Sequence, residues 1–152
     1  MGFRENLAAL GLELPPVPKA VGAYVPAVIS NNLCYSSGQT GTAQGRLVYR
    51  GKVGAELSVE DGYKSAQIAM LNVLAELKWA LGDLDRITRV VKLTGYVASA
   101  PGFDQQPKVV NGASELLERL FAERGRHARS AIGVAELPFG APVEIEAVVE
   151  FA

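Results

Sequence analysis

The chain has 152 residues, of which 49% are hydrophobic and 20% charged, and these values are typical of one globular domain with its own core. Fifteen lysine and arginine residues stand against sixteen aspartate and glutamate residues, for a formal net charge of -1. With no basic stripe that could neutralise a run of phosphates, the chain is not expected to bind nucleic acid. We expect a single domain over residues 1–152, with an added N-terminal helix and linker at 1–18 and the core at 19–152.

Cysteine and histidine each occur once, which leaves too few soft ligands for a zinc site and rules out an intramolecular disulfide. The N-terminal ten residues include Arg4 and Glu5, unlike the uninterrupted apolar stretch of a secretory signal. The most apolar region, residues 68–81, is interrupted by polar side chains and does not predict a membrane span. We therefore expect a cytoplasmic protein that binds neither a metal nor a membrane.

A short helix and a β-hairpin are predicted at the start of the chain. Apolar residues at helical spacing, followed by Gly11, predict a helix over the first ten residues. Two strand-like runs, 24–29 and 33–37, flank an Asn31-Asn32 pair that tolerates turn conformations, which favours a hairpin. A glycine-rich loop follows and contains a short predicted strand at 46–49.

Two longer helices are predicted in the middle of the chain. Ser58-Val59-Glu60-Asp61 matches a capping box and begins an apolar stripe that ends at Leu81, with Gly82 after it. A second helix is predicted from about residue 104 to residue 124, with Gly125 as its natural stop. Each helix has one apolar stripe and should pack on the core through it.

Three further strands complete the predicted fold. Residues 87–97 alternate with β-branched side chains and form a strand between the two helices, and residues 130–137 and 143–151 most simply form a closing hairpin. Along 143–151 apolar residues alternate with glutamates, so only one face of this strand can lie under helices. The expected fold class is α+β, a mixed β-sheet with two helices packed on one face.

Arg129 is the residue in this sequence best suited to bind a ligand. It leads into a run of small and apolar residues, where its planar guanidinium has little local competition and could bind a carboxylate through two parallel hydrogen bonds. A small organic acid is the implied ligand. From the residues alone, a structural or surface ion pair is the more frequent role of such an arginine, and a solvated strand carboxylate that of Glu144. The pattern leaves both roles open.

Two other reactive residue types have weaker claims. Cys34 lies in an apolar strand and is expected to be buried and inert. His127 has no cysteine or acidic pair at triad-like or metal-like spacing and is expected to be a polar loop residue. Neither residue is predicted to take part in catalysis.

Several motifs, taken in their order and spacing, resemble the RidA (YjgF) family over residues 21–149. The motifs, as they stand here, are Gly22-Ala23-Tyr24, Ser37-Gly38-Gln39, Asn111, Ala128-Arg129-Ser130, Leu137-Pro138 and Glu144-Ile145-Glu146-Ala147. Each fragment is short, and it is the combination on matching predicted elements that is specific.

The resemblance implies a homotrimer of chorismate-mutase-like subunits, with clefts between neighbours, that hydrolyses 2-imino or enamino acids to 2-keto acids and ammonia. Arg129 would bind the substrate carboxylate and Glu144 would position the attacking water. Such an imine is already electrophilic, so no metal or organic cofactor is needed. The implied substrate-binding residues are Tyr24, Ser37, Gly38, Gln39, Asn111 and Ala131.

The sequence departs from the family's pattern, and other functions stay open. Ala131 stands where many active members have cysteine, Ala23 replaces a common proline, and the segment 98–108 looks longer than usual. A non-catalytic trimer that binds a small carboxylate metabolite through Arg129 would carry the same residues. A ribonuclease or translation inhibitor is disfavoured by the net charge of -1, and a chorismate mutase because a shared fold does not determine function.

Overall fold

The computed structural model describes residues 2–152 and consists of a mixed six-stranded sheet covered on one face by helices. The helices are α1 (Phe3–Ala9), α2 (Val59–Leu81) and α3 (Gln106–Phe121). The strands are β1 (Ala27–Ser30), β2 (Leu33–Ser36), β3 (Gln39–Thr40), β4 (Thr42–Ala43), β5 (Arg46–Leu47), β6 (Ile87–Ala98), β7 (Ala128–Val134) and β8 (Val143–Phe151). Short 3₁₀ turns occupy Leu84–Arg86, Ala122–Gly125 and Pro138–Gly140. The predicted α+β class is confirmed.

The strand order of the sheet is β1-β2-β8-β6-β7, and β3 pairs with β8 beside β2. β6 and β7 are parallel, and α3 forms the crossover between them that a parallel pair requires. The predicted closing hairpin of the last two strands is therefore wrong, because β6 lies between β7 and β8. The turn-rich connection at 135–142 crosses two interstrand spacings, about 10 Å, which a segment of this length spans as readily as it forms a hairpin.

The N-terminal hairpin is confirmed, with β1 beginning at Ala27 instead of residue 24. Pro26 immediately precedes the strand, and its missing N–H makes it a natural boundary. Asn31 adopts a positive φ of 55° in the turn, a conformation that asparagine tolerates better than most residues. The short strand predicted at 46–49 is β5, which pairs with β4 outside the main sheet.

The capping box at the start of α2 is confirmed. Ser58 Oγ accepts a hydrogen bond from the Asp61 N–H at 3.1 Å, and Asp61 Oδ2 accepts one from the Ser58 N–H at 3.0 Å. The prediction that Gly125 stops the second helix is wrong, because α3 ends at Phe121 and a 3₁₀ turn follows. Gly125 instead packs against the backbone of Leu117, where any side chain would collide.

The core lies between the helices and one face of the sheet. Val143, Ile145, Ala147 and Val149 of β8 are buried there, as the alternation predicted. Cys34 is also fully buried, as predicted, and burial raises the pKa of its thiol. Within residues 2–152, no helix is long and apolar enough to cross a membrane.

Candidate functional site

The Arg129 guanidinium lies on the helix side of the sheet, beside α3. Arg129 pairs in register with Leu93 of β6, which is fully buried under the helices. Its Nη1 donates hydrogen bonds to Asn111 Oδ1 at 2.7 Å and to Ser114 Oγ at 3.1 Å. Nη2 makes a longer contact, 3.4 Å, to the carbonyl oxygen of Pro107. α3 therefore holds the guanidinium through two hydrogen bonds at Nη1 and a longer contact at Nη2.

α3 can reach Arg129 because it packs unusually close to the sheet. Gly95 of β6 lies under Val110, and a side chain at that glycine would collide with the valine. Asn111 follows Val110 directly, and Ser114 lies three residues further, on the same side of the helix. This close contact places both polar side chains within hydrogen-bonding distance of the guanidinium.

The opposite edge of the Arg129 guanidinium is formed by Nε and by Nη2, whose protein contact is the long one to the Pro107 carbonyl oxygen at 3.4 Å. Arg129 is in no ion pair with a carboxylate of residues 2–152. The two hydrogens of Nη1 have acceptors, whereas Nε has none in the part of the chain that the structure describes. Burial lowers the pKa of Arg129 from its ordinary value, but an arginine stays charged at neutral pH. Its Nε–Nη2 edge is thus a fork that can bind a carboxylate through two parallel hydrogen bonds.

Glu144 lies on the opposite face of the sheet from Arg129. Its neighbours Val143 and Ile145 point into the core, so the Glu144 side chain points to the face without helices. β6 also separates the strands that carry the two residues. One chain therefore does not bring Glu144 and Arg129 together, although both were predicted to act on the same substrate.

The surroundings of Glu144 favour its protonated form. Burial is the main cause that raises the pKa of Glu144 above its ordinary value, and the charge of Glu146 on the same face adds to it. Tyr96, directly opposite Glu144 on β6, donates its hydroxyl hydrogen to Glu146 Oε1 at 2.5 Å. This hydrogen bond and burial raise the pKa of Tyr96 to about 12. A carboxyl group with a raised pKa is suited to accept and return a proton near neutral pH.

The Ser37-Gly38-Gln39 segment combines one contact with Glu144 and two structural contacts. Gly38 packs against the Glu144 carboxylate so closely that a side chain at position 38 would collide with it. The Ser37 hydroxyl donates to the Val25 carbonyl at 2.7 Å, which ties the preceding segment to this loop. The Gln39 amide turns to the helix side and donates to the buried Glu76 Oε2 at 3.0 Å.

The remaining predicted residues are Ala131 and Tyr24. Ala131 is half-buried two positions after Arg129 and faces the same side of β7. Tyr24 is 43% exposed, and its hydroxyl oxygen accepts a hydrogen bond from the Val21 N–H at 3.3 Å. The structure thus assembles two clusters, one around Arg129 with Asn111 and one around Glu144 with Gly38.

Two residues of the Arg129 cluster were missed by sequence reasoning. His127 lies in the loop before β7, as predicted, and is half-buried there with Nε2 2.9 Å from Ser114 Oγ and Nδ1 2.6 Å from the Gly125 carbonyl oxygen. Ser114 was not singled out, although its spacing of three from Asn111 is the signal that could have found it. Among residues 2–152, no group of three or more His, Cys, Asp or Glu side chains is placed to hold a metal ion.

Comparison with known proteins connects this geometry to a family. A family model described as YjgF/chorismate mutase-like, putative endoribonuclease, matches residues 4–145. Protein TCP17 of Trypanosoma cruzi is 45% identical over 146 residues, which are 95% of this chain and 91% of that protein. The 2-iminobutanoate/2-iminopropanoate deaminase of Capra hircus is 34% identical over 133 residues, 86% of this chain and 82% of the goat protein.

A solved structure extends the similarity to the fold. The crystal structure of the protein Atu1372 of Agrobacterium tumefaciens, described as having unknown function, superposes with a TM-score of 0.93 at 45% sequence identity. The match covers 99% of this chain and 92% of that chain. The two proteins therefore share this fold along nearly the whole length of both chains.

Proposed function

Because this chain belongs to the YjgF/chorismate-mutase-like family, also called the RidA family, we propose that it hydrolyses reactive 2-imino acids, or their enamine tautomers, to 2-keto acids and ammonia. The observation that carries the proposal is the open Nε–Nη2 edge of Arg129. A guanidinium held by Asn111 and Ser114, with no carboxylate partner among residues 2–152, is prepared for an external carboxylate. The similarity to a 2-iminobutanoate/2-iminopropanoate deaminase supports an imino acid as the source of that carboxylate.

The active site in this proposal lies between two copies of the chain. Because one chain separates Arg129 from Glu144, a complete site needs Arg129 and Asn111 of one subunit and Gly38 and Glu144 of its neighbour. Tyr24 would close the cleft from the subunit that provides Glu144. Such head-to-tail contacts can close into a ring, and the family resemblance implies that the ring has three subunits.

The helix-free face of the sheet supports this assembly. Val28, Tyr35 and Val148 are paired in register across β1, β2 and β8 on that face. Val28 is 53% exposed and Tyr35 is 44% exposed in the single chain. An exposed row of apolar side chains on a sheet is typical of a surface that another subunit covers.

The proposed reaction needs orientation and one proton shuttle. Arg129 would bind the substrate carboxylate, and backbone groups near Gly38 and Ala131 would bind the imine nitrogen. Water would then add to the imine carbon while Glu144 transfers one water proton to the imine nitrogen, forming a carbinolamine. Glu144 would next move the hydroxyl proton of the carbinolamine to the same nitrogen, so that the C–N bond breaks and ammonia leaves as the C=O bond of the 2-keto acid forms. No step of this sequence requires an oxidant or reductant.

The test is ammonia release from 2-iminopropanoate that is generated in situ, compared with the spontaneous rate. Wild-type protein should accelerate the release, whereas Arg129→Lys should be strongly impaired and Arg129→Ala nearly inactive. Losing the planar fork should lower kcat/KM roughly tenfold or more, because a hydrogen bond to a charged group is worth about 1.5–3 kcal/mol. Arg46→Ala, at an exposed arginine of β5, is the matched control and should behave as wild type.

Two results would contradict the proposal, the first its deaminase activity and the second the carboxylate-binding role of Arg129. One is a wild-type rate equal to the spontaneous rate in a protein that still binds 2-oxobutanoate, which would favour the non-catalytic binding trimer. The other is a lower melting temperature with unchanged turnover in both Arg129 variants, which would make Arg129 a structural residue.

A further inference from the structure

We propose that His127 is a positioning residue for Arg129. Acting through the Ser114 hydroxyl, it holds the guanidinium in the orientation that leaves the Nε–Nη2 edge open to a ligand carboxylate. The inference rests on the function proposed above, because it assigns the way in which the carboxylate-binding group of that site is oriented. It adds two residues, His127 and Ser114, that the family motifs in the sequence do not contain.

The Gly125 carbonyl oxygen determines the direction of each hydrogen bond in the series that joins Gly125, His127, Ser114 and Arg129. The Gly125 carbonyl oxygen can only accept, so His127 Nδ1, at 2.6 Å, must carry a hydrogen. A neutral imidazole has one ring hydrogen, so Nε2 is bare and accepts the Ser114 hydroxyl hydrogen over 2.9 Å. The lone pairs of Ser114 Oγ are then free to accept from Arg129 Nη1 at 3.1 Å.

Burial and the positive charge of Arg129 favour the neutral form of the His127 ring. Burial is the main cause that lowers the pKa of His127 below its ordinary value, and the positive charge of Arg129 lowers it further. The hydrogen bond to Gly125 and the charge of Glu118 on α3 act in the opposite direction. His127 also lines a cavity together with Arg89 of β6 and Arg126.

The consequence for Arg129 is that Nη1 has no hydrogen left for a ligand. Asn111 Oδ1 takes one hydrogen at 2.7 Å, and Ser114 Oγ takes the other. If His127 did not accept the Ser114 hydrogen, the hydroxyl could rotate that hydrogen toward Nη1 and lose the bond. At Nη1 the guanidinium would then be held by Asn111 alone, and the direction of the Nε–Nη2 fork would be less fixed. A disordered fork binds a carboxylate more weakly.

The first test observes the imidazole itself and needs no enzymatic activity. The chain contains one histidine, so ¹⁵N-labelled protein gives one assignable set of ring resonances. The inference predicts the Nδ1–H tautomer with an unprotonated Nε2 near neutral pH, although the Nε2–H tautomer is the commoner one in water. A ring protonated at Nε2 would overturn the inference, because Ser114 could no longer donate to it.

The second test uses variants that keep or remove the acceptor. His127→Leu and Ser114→Ala should each raise KM for 2-iminopropanoate roughly three- to tenfold, with a smaller change in kcat. His127→Gln places an amide oxygen where it can accept the Ser114 hydrogen and should restore KM to near the wild-type value. The double variant should be no worse than either single variant, because both changes break the same chain of hydrogen bonds. The dissociation constant of 2-oxobutanoate should follow the same order without turnover.

Failure of the inference differs from failure of the proposed function. If wild-type protein turns over and Arg129→Ala does not, but His127→Leu and Ser114→Ala keep the wild-type KM, the positioning role is wrong and the function stands. Equal effects of His127→Leu and His127→Gln would also overturn the inference. If Arg129→Ala is itself fully active, the carboxylate-binding role proposed for Arg129 fails first, and the positioning role of His127 fails with it.

Discussion

Replacing Glu76 with glutamine should stabilise the protein at neutral and alkaline pH. Glu76 is fully buried in α2, where Oε2 accepts the Gln39 hydrogen bond at 3.0 Å and Oε1 has no partner within residues 2–152. Burial outweighs the hydrogen bond from Gln39 and raises the pKa of Glu76 from 4.5 to about 8. The folded protein therefore retains a proton on Glu76 at a pH where the unfolded chain has lost it.

The sign and size of the effect follow from this difference in pKa. A raised pKa in the folded state means that the stabilising contribution is complete below pH 4.5 and is lost as the pH rises toward about 8. Each pKa unit corresponds to about 1.4 kcal/mol, so the full loss is on the order of 5 kcal/mol. At neutral pH the loss is roughly 3–4 kcal/mol. Glutamine cannot ionise and avoids it.

The assay is denaturant unfolding of both proteins at one protein concentration, from about pH 5 to about pH 9. The difference in free energy of unfolding between Glu76→Gln and wild type should grow as the pH rises through this range. Glu60→Gln, at an exposed carboxylate of α2, is the control and should run parallel to wild type. A pH-independent difference between Glu76→Gln and wild type would refute the reasoning, because it would mean that Glu76 ionises normally in the folded protein.

Three further predictions concern the site, the core and the assembly. Gly38→Ala should keep the fold but displace the Glu144 carboxylate. The kcat for 2-iminopropanoate should then fall at least about tenfold while the circular dichroism spectrum is unchanged. An unchanged kcat would contradict the role of Glu144. Cys34→Ala should leave turnover near wild type and lower the free energy of unfolding by about 1 kcal/mol, measured by denaturant titration. Loss of turnover in the folded variant would show that the Cys34 thiol takes part in the reaction. Light scattering should give the mass of a trimer, and the substitutions Val28→Glu and Tyr35→Glu should dissociate it. A monodisperse wild-type monomer at micromolar concentration would exclude the intersubunit site.

Local features of the fold could be predicted from the sequence because they depend on neighbouring residues. The capping box at Ser58 and the alternation along residues 143–151 each involve contacts within a few positions, and both are confirmed. The position of β6 between β7 and β8 could not be predicted, because strand pairing joins residues that are far apart in the chain. The role of Gly125 could not be predicted either, because its close contact with the Leu117 backbone depends on how the chain turns after the end of α3.

Some residues of the candidate site could be predicted from local motifs, and others could not because they depend on tertiary contacts. Arg129 and Asn111 were named from motifs, and the structure places them in one hydrogen-bonded group. Ser114 and His127 join that group only because α3 packs over the start of β7, a tertiary contact that no local pattern encodes. The separation of Glu144 onto the other face of the sheet is likewise visible only when the strand order is known.

Mixing two inactive variants tests the intersubunit site most directly. Arg129→Ala and Glu144→Gln are each expected to be inactive, because each removes one half of every cleft. After unfolding and refolding together in equal amounts, random trimers should have the native Arg129 and Glu144 in about one quarter of their clefts. The account predicts that deamination of 2-iminopropanoate recovers to about a quarter of the wild-type rate. Mixed trimers that form, as native mass spectrometry would show, but remain inactive would contradict a site built from two subunits.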